Sequence, residues 1–415
     1  MKKLTWFVFP LLMITLLAVA APARASYGFS SDLVQLAWFY KPPSDGNLSV
    51  QARYFDNFIL TRRDEAARDQ LQALGVSVPI VQYYLSNAVH NPGPNDCKAQ
   101  PWGNTVADQP GDYCWMRDNH PDWFLYDAQG KPVTSSGGGQ TVTFMNPANP
   151  GWQQFFVERL LARQQTYGWQ GLFLDNVDGG LQRFQQMHVT LRDYPDDESY
   201  VAAVESFLLA LHEGYQHATD RPILANLTEL SDQATWFRYL EYLDGAMEEG
   251  WGVDWHSGYY PVSIWEENIN RAIQTQALGK RAILVAQADD RDDLQRQQFA
   301  FASYLLASNG NAAFRYASSA SYDEPWLYDN YDQAPALGQP LGAAYRQQGN
   351  DWRRDFEHGY VTANPETHAS TIVVQQPTPT PLPSPTPRPT PRPTLAPPPG
   401  GWPYEIYLPA MGTLE

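Results

Sequence analysis

The chain has 415 residues, is 43% apolar and carries a formal charge of −17 at pH 7. Such an acidic balance disfavours nucleic acid and anionic membranes, which are bound through basic patches, and favours neutral or cationic partners. Its two cysteines have no C-x-x-C spacing and no clustered histidines beside them, so no zinc site is expected, and no cofactor motif appears.

Residues 1–25 read as a secretory signal. Lys2 and Lys3 supply the charged start, residues 7–20 are apolar, and Ala23-Arg24-Ala25 offers a small-residue cleavage site before Ser26. Cleavage would remove Lys2, Lys3 and Arg24 and no acid, moving the formal charge from −17 to −20. No membrane insertion is expected after cleavage. In an exported chain Cys97 and Cys114 are expected to pair and to stiffen the long loop between them.

Short apolar strands then alternate with amphipathic helices. The chain order predicts a strand at 33–40 (LVQLAWFY), a helix at 64–74 stopped by Gly75, and a strand at 78–85 (VPIVQYYL). A hairpin follows at 123–133, turning at Gln129-Gly130, then a third strand at 141–146 (TVTFMN) and a helix at 150–167 with Pro150 in its first turn. The run GLFLD makes a fourth strand, followed by a helix at 199–219 and a fifth strand at 222–226 (PILAN). A sixth strand at 243–249 (LDGAMEE) precedes a helix at 263–278. The seventh strand is 281–287 (RAILVAQ), then comes a helix at 292–308, and the eighth strand is 311–316 (NAAFRY).

Eight such units in about 300 residues predict an α/β fold of the (β/α)8 TIM-barrel type. No Gly-rich phosphate turn follows the first strand, against a doubly wound sheet. The domain reading is a signal at 1–25, a catalytic barrel at 26–350 and a β-hairpin or small sheet at 351–374. A Pro/Thr-rich linker at 375–400 is expected to be disordered, extended and PPII-like. Residues 401–415 form a short terminal segment read as a sorting tag.

The most informative run is GLFLDNVDGG, residues 171–180. A buried strand that breaks off in carboxylates puts charge at the mouth of a parallel barrel, where barrel chemistry sits. A second acidic strand end appears at MEEGW. Glycoside cleavage needs two carboxyl groups across the scissile bond, and Asp175 with either Glu248 or Glu249 can supply them. Neighbouring strand residues face opposite ways, so only one of the two glutamates should reach the mouth, and parity at a strand end leaves open which. Asp178 is a further acid there and a candidate substrate contact.

Aromatic residues crowd the same strand ends: Trp38 and Tyr40 on the first, Tyr83 and Tyr84 on the second, Trp251 and Trp255 after the sixth. Sugar C–H faces stack on such rings, so Trp38, Tyr40, Tyr84, Trp251 and Trp255 are candidate carbohydrate contacts. Phe39 and Tyr83 read equally well as barrel core. Asn146, Asn226, Gln287 and Arg315 are candidate polar contacts, and Arg315 is a candidate partner holding Asp175 ionised.

The segments YGWQGLFLDNVD, LDGAMEEGW, HPDWFLYDAQGKPV, FMNPANPGW and PLGAAY with WRRDFEHGYVTANP resemble the endo-α-1,4-polygalactosaminidase family and its relative, hypothetical glycosyl-hydrolase-like family fifteen. The resemblance spans roughly residues 33–374. It implies a TIM barrel with Asp175 as nucleophile and Glu249 as acid/base; Glu248 stands where the relatives carry Asn, which keeps Glu248 as the substitute. The expected activity is that of a secreted glycoside hydrolase acting on an extracellular polysaccharide or oligosaccharide, free or displayed at a bacterial cell surface. The competing expectation is a non-catalytic carbohydrate-binding or cell-envelope protein on the same barrel.

Overall fold

The computed structural model describes residues 27–375 except 94–95, 102–103, 138 and 256–257. The signal segment, the linker beyond residue 375 and the terminal tag lie outside the described residues. In chain order the strands are β1 (Ala37–Phe39), β2 (Asn57–Leu60), β3 (Ile80–Leu85), β4 (Ala88–His90), β5 (Thr134–Gly137), β6 (Gln140–Phe144), β7 (Leu172–Asp178) and β8 (Ile223–Thr228). They continue with β9 (Gly245–Glu248), β10 (Arg281–Ala288), β11 (Ala312–Ser318), β12 (Tyr345–Arg346), β13 (Trp352–Phe356), β14 (Gly359–Ala363) and β15 (Ser370–Val374).

Among the described residues, eight parallel strands in the order β1-β2-β3-β7-β8-β9-β10-β11 make one sheet. Its two edges meet where Leu36 bridges Phe314 and the Phe314 N–H donates to the Gln35 carbonyl at 2.8 Å. The expected α/β barrel is therefore the fold. A parallel strand is buried on both faces, which is why these segments read as continuous apolar runs.

One expected barrel strand is replaced by another. Residues 141–146 do not enter the barrel; β6 pairs antiparallel with β4 and β5 in a separate three-stranded sheet. That strand is exposed at its start and buried only at Thr143 and Phe144, as suits a one-sided sheet. The missing barrel strand is β2, whose four residues NFIL are all buried. A run so short carries no periodicity to detect. The helix Leu48–Tyr54 ahead of it is also unexpected; Asn47 caps it by accepting the Ser49 N–H at 3.1 Å. The helix Gln233–Leu240 between β8 and β9 is a second addition to the expected elements.

The excursion between β3 and β7 holds the expected Cys97–Cys114 disulfide, with Cα atoms 5.8 Å apart. Its fastening to the barrel is ionic: buried Asp108 accepts from Arg62 at 2.7 Å and from Arg163 at 2.8 Å. The C-terminal β12–β15 sheet is antiparallel and begins at Tyr345, earlier than residue 351. It is held to the helix Leu294–Ala307 by Arg354, whose Nη1 donates to the carbonyls of Leu305 at 3.0 Å and Leu306 at 3.2 Å. Gly359 follows the turn because a Cβ there would collide with the Val373 carbonyl oxygen.

The barrel interior is filled by Ala37, Phe39, Ile59, Val81, Phe173, Leu224, Met247, Ile283, Val285 and Ala313, all fully buried. The alternate residues Trp38, Phe58, Leu60, Leu284 and Phe314 face outward into the layer between sheet and helices. This two-residue alternation decides which side chains reach the mouth.

Candidate active site

One step of two residues up from the interior layer gives the ring at the mouth. Val81 leads to Tyr83, Phe173 to Asp175, Leu224 to Asn226, Met247 to Glu249, Val285 to Gln287 and Ala313 to Arg315. The parity question is thus resolved by the interior position of Met247: Glu249 continues its face, and Glu248 continues the outward face of Ala246.

Asp175 and Glu249 meet at one amide. Asn226 Nδ2 donates to Asp175 Oδ1 at 3.0 Å and to Glu249 Oε2 at 2.8 Å. The two carboxylate oxygens therefore lie no further apart than those two bonds laid end to end. The Tyr83 hydroxyl donates to Asp175 Oδ2 at 2.6 Å, and the Tyr40 and Tyr322 hydroxyls each lie 3.4 Å from Glu249 Oε1. Gln287 Nε2 donates to the Tyr322 oxygen at 2.6 Å, which leaves the phenolic hydrogen of Tyr322 free to point at Glu249. The rings of Tyr40, Tyr83 and Tyr322 pack edge to face, with centroids 5.2 Å apart for Tyr40–Tyr83 and for Tyr40–Tyr322.

Removal from water raises the affinity of both carboxylates for protons. Burial pushes Glu249 up to about 7, and the charge of Asp175 beside it adds to the rise. Burial also raises Asp175, but the hydrogen bonds from Tyr83 and Asn226 oppose it. Both carboxyls are therefore raised, Glu249 to the point of holding its proton near neutrality, while hydrogen bonds from Tyr83 and Asn226 work against the rise at Asp175.

Backbone geometry supports the ring. β7 is bulged between Leu174 and Val177, and Asn176 has φ 56°. A bulge at a barrel rim re-aims the side chains beside it. Tyr40, at φ 79°, is a second non-glycine residue in the left-handed region at this rim, and Glu229, at φ 50°, is a third.

The other expected contacts divide. Trp38 and Tyr84 face outward and are fully buried; the Trp38 Nε1–H donates to the Lys41 carbonyl at 2.8 Å and Tyr84 accepts from Gln82. Trp251 is buried too, its Nε1–H donating to the Ala300 carbonyl at 3.1 Å. These three rings have no free face for a sugar. Asn146 lies beyond β6, outside the barrel, and accepts from the Tyr194 hydroxyl. Asp178 is buried and held by Arg183, Thr228 and Asn87. Glu248 is ion-paired with Arg271, which also binds Glu267 at 2.7 Å. Arg315 does not bond Asp175. Its Nη1 and Nη2 donate to the carbonyls of Phe39 at 3.3 Å and Tyr322 at 2.5 Å, and its guanidinium stacks on Trp38 and Phe39. The step up from Ala313 points Arg315 at the β1 and β11 side, away from β7.

Tyr83 is legible in the sequence only as a strand end, and Tyr322 lies in the irregular segment after β11, where no periodicity marks it. Beside the ring a cleft of about 650 Å³ opens, lined by Asn176, Asn226, Glu229, Glu249, Trp255 and Asn268 among others. Among the described residues no cluster of three or more His, Cys, Asp or Glu side chains has the geometry of a metal site.

A family model described as hypothetical glycosyl hydrolase family 15 matches residues 92–360. No curated protein matches the chain. Among solved structures, the glycoside hydrolase domain of PelA from Pseudomonas aeruginosa is 16% identical over 70% of this chain and 96% of that one, with a TM-score of 0.42. An α-galactosidase from Thermus thermophilus is 14% identical over 81% of this chain and 67% of that one, with a TM-score of 0.46. The α subunit of glucosidase II is 13% identical over 74% of this chain and 33% of that one, also with a TM-score of 0.46.

Proposed function

The chain belongs to hypothetical glycosyl hydrolase family 15 and is a glycoside hydrolase, and from that premise we propose that Asp175 is its nucleophile and Glu249 its general acid/base. The observation that carries this reading is the Asn226 amide, which reaches both carboxylates at hydrogen-bond distance. Retaining glycosidases hold their two carboxyl groups about 5–5.5 Å apart, whereas inverting enzymes leave about 6.5–9.5 Å for a water. The shared amide favours the shorter class, and the reaction then proceeds with retention.

In the first step Asp175 attacks the anomeric carbon as the C–O bond to the leaving sugar breaks, and Glu249 gives its proton to the departing oxygen. In the second, Glu249 takes a proton from water, whose oxygen attacks the same carbon and releases Asp175. Tyr83 and Asn226 stabilise the charge on Asp175 before attack and after release. Burial of Glu249 keeps the proton available near neutrality.

The substrate is a neutral or cationic glycan. The cleft has Glu229 on its wall, and its two arginines are committed, Arg183 to Asp178 and Arg271 to Glu248 and Glu267. Among the described residues an anionic sugar finds no free cation there. The enzyme is exported, as supported by the charged and apolar start of the chain and by the disulfide. Among the described residues no helix is long and apolar enough to cross a membrane. A binding-only role leaves two desolvated carboxylates held on one amide without a purpose.

The test is a panel of neutral and amino-sugar polysaccharides presented to wild type and Asp175→Asn. Hydrolysis by wild type alone, with the first-formed product in the substrate's anomeric configuration by proton NMR, is the expected result. Undiminished hydrolysis by Asp175→Asn refutes the assignment, and an inverted product refutes the mechanism.

A further inference from the structure

The catalytic ring is lopsided. One part of the mouth is closed by three tyrosines packed ring against ring, Tyr83 against Asp175 and Tyr40 and Tyr322 against Glu249 Oε1. Another part opens into the cleft of about 650 Å³ that runs over β8 and β9 to the helix Val262–Ala277. Glu249 is part of the wall of that cleft, and Asp175 is not among the residues that line it.

If Glu249 is the acid, the group it protonates leaves into this cleft. We infer that the cleft is a binding site for the leaving part of the glycan, and that the substrate continues for at least two sugar units past the scissile bond. This inference rests on the role proposed for Glu249.

Three observations support it. A volume of this size accommodates a ligand far larger than one sugar ring. Trp255 lines it and is 39% exposed, an unusual state for the largest side chain and the arrangement needed to stack on a sugar face. On the same wall Asn268 is only 5% exposed, and its Oδ1 has no hydrogen-bond donor among the described residues. A buried acceptor without a donor is costly, and a sugar hydroxyl is a group that supplies one. Ile264, 41% exposed, adds apolar surface to the same cleft.

The test uses the polysaccharide that wild type hydrolyses, cut into a ladder of oligosaccharides, with the 4-nitrophenyl glycoside of the same sugar as the shortest substrate. For wild type, kcat/KM rises by tenfold or more for the first two units added on the leaving side. In Trp255→Ala, and separately in Asn268→Ala, the ratio of long to short substrate falls to under threefold. Two variants on different elements keep the result readable if one of them fails to fold. A wild-type kcat/KM that is flat along the ladder overturns the inference, and so does a length dependence that both variants keep. Neither outcome touches the assignment of Asp175 and Glu249, which is tested separately by Asp175→Asn and by the configuration of the product.

Discussion

Asp175 and Glu249 are tied to one nitrogen atom. Asn226 Nδ2 lies 3.0 Å from the first and 2.8 Å from the second. β7 and β9 are not neighbours in the sheet; β8 stands between them, and Asn226 on β8 is the residue through which they communicate. A single donor shared by two carboxylates sets their spacing and joins their titrations, because the charge on either alters the affinity of the other for protons.

The two adjacent glutamates separate by face. Glu249→Gln is expected to lower kcat/KM by about 10²- to 10⁴-fold toward a substrate with a poor leaving group, the range for loss of a general acid. Glu248→Gln removes the ion pair with Arg271 and should lose far less, remaining at least about tenfold above Glu249→Gln. Steady-state kinetics of the two variants on one polysaccharide decides it; equal losses contradict the inward orientation of Glu249.

The pH profile of kcat/KM should be bell-shaped, with its alkaline limb near the value of about 7 to which Glu249 is raised. Above that pH the acid has lost its proton. The acidic limb reports Asp175, raised by burial and held down by Tyr83 and Asn226. Also facing it are the charge of Arg183, which favours its ionised form, and the Glu249 carboxyl. Tyr83→Phe removes one hydrogen bond to a charge, so the acidic limb moves to higher pH and kcat/KM falls about 10- to 100-fold. A limb that stays in place would show that Tyr83 serves packing alone.

Glu249 also marks a site where stability is given up. Folding raises its pKa from the ordinary glutamate value of 4.5 to about 7. The native state therefore holds this proton more tightly, and stability is lost as pH rises through that window. Below about 4.5 the penalty is absent, and above about 7 it is complete. Glu249→Gln abolishes it, so the variant should gain about 1–3 kcal/mol over wild type at about pH 8 and little at about pH 4. Urea unfolding at the two pH values measures the difference; a gain of equal size at both would point to some cause other than ionisation.

Cys97 and Cys114 close a loop with a sequence separation of 17. Replacing both with Ser should cost about 3 kcal/mol, largely through the freer unfolded chain. The excursion remains anchored by Asp108 and its arginines. Activity is therefore expected to survive at room temperature while the melting temperature drops. Unchanged melting under oxidising conditions would show that the loop is already held without the bridge.

Local pattern carried much of this protein. Apolar runs that end in charge mark β7 and β9, and the helix Pro150–Tyr167 is bounded by the proline at its start and the glycine after its end. The acids themselves, Asp175 and the Glu248–Glu249 pair, stand out because burial followed at once by ionisable groups is rare away from sites. Strand β2 is illegible because four residues hold no period, and residues 141–146 imitate a barrel strand because β propensity says nothing about which sheet a strand joins.

Facing and distance belonged to the closed barrel alone. Trp38, Tyr84 and Trp251 are as aromatic as Tyr83 and Tyr322, yet the first three are turned into the helix layer and the latter two toward the acids. Sequence names the residues at a strand end, but their facing depends on register against the interior layer of Phe173, Leu224 and Met247. That register is set by contacts between strands far apart in the chain, so the inward facing of Glu249, a role the family resemblance implied but residue parity left open, and the spacing through Asn226 existed only once the ring had closed.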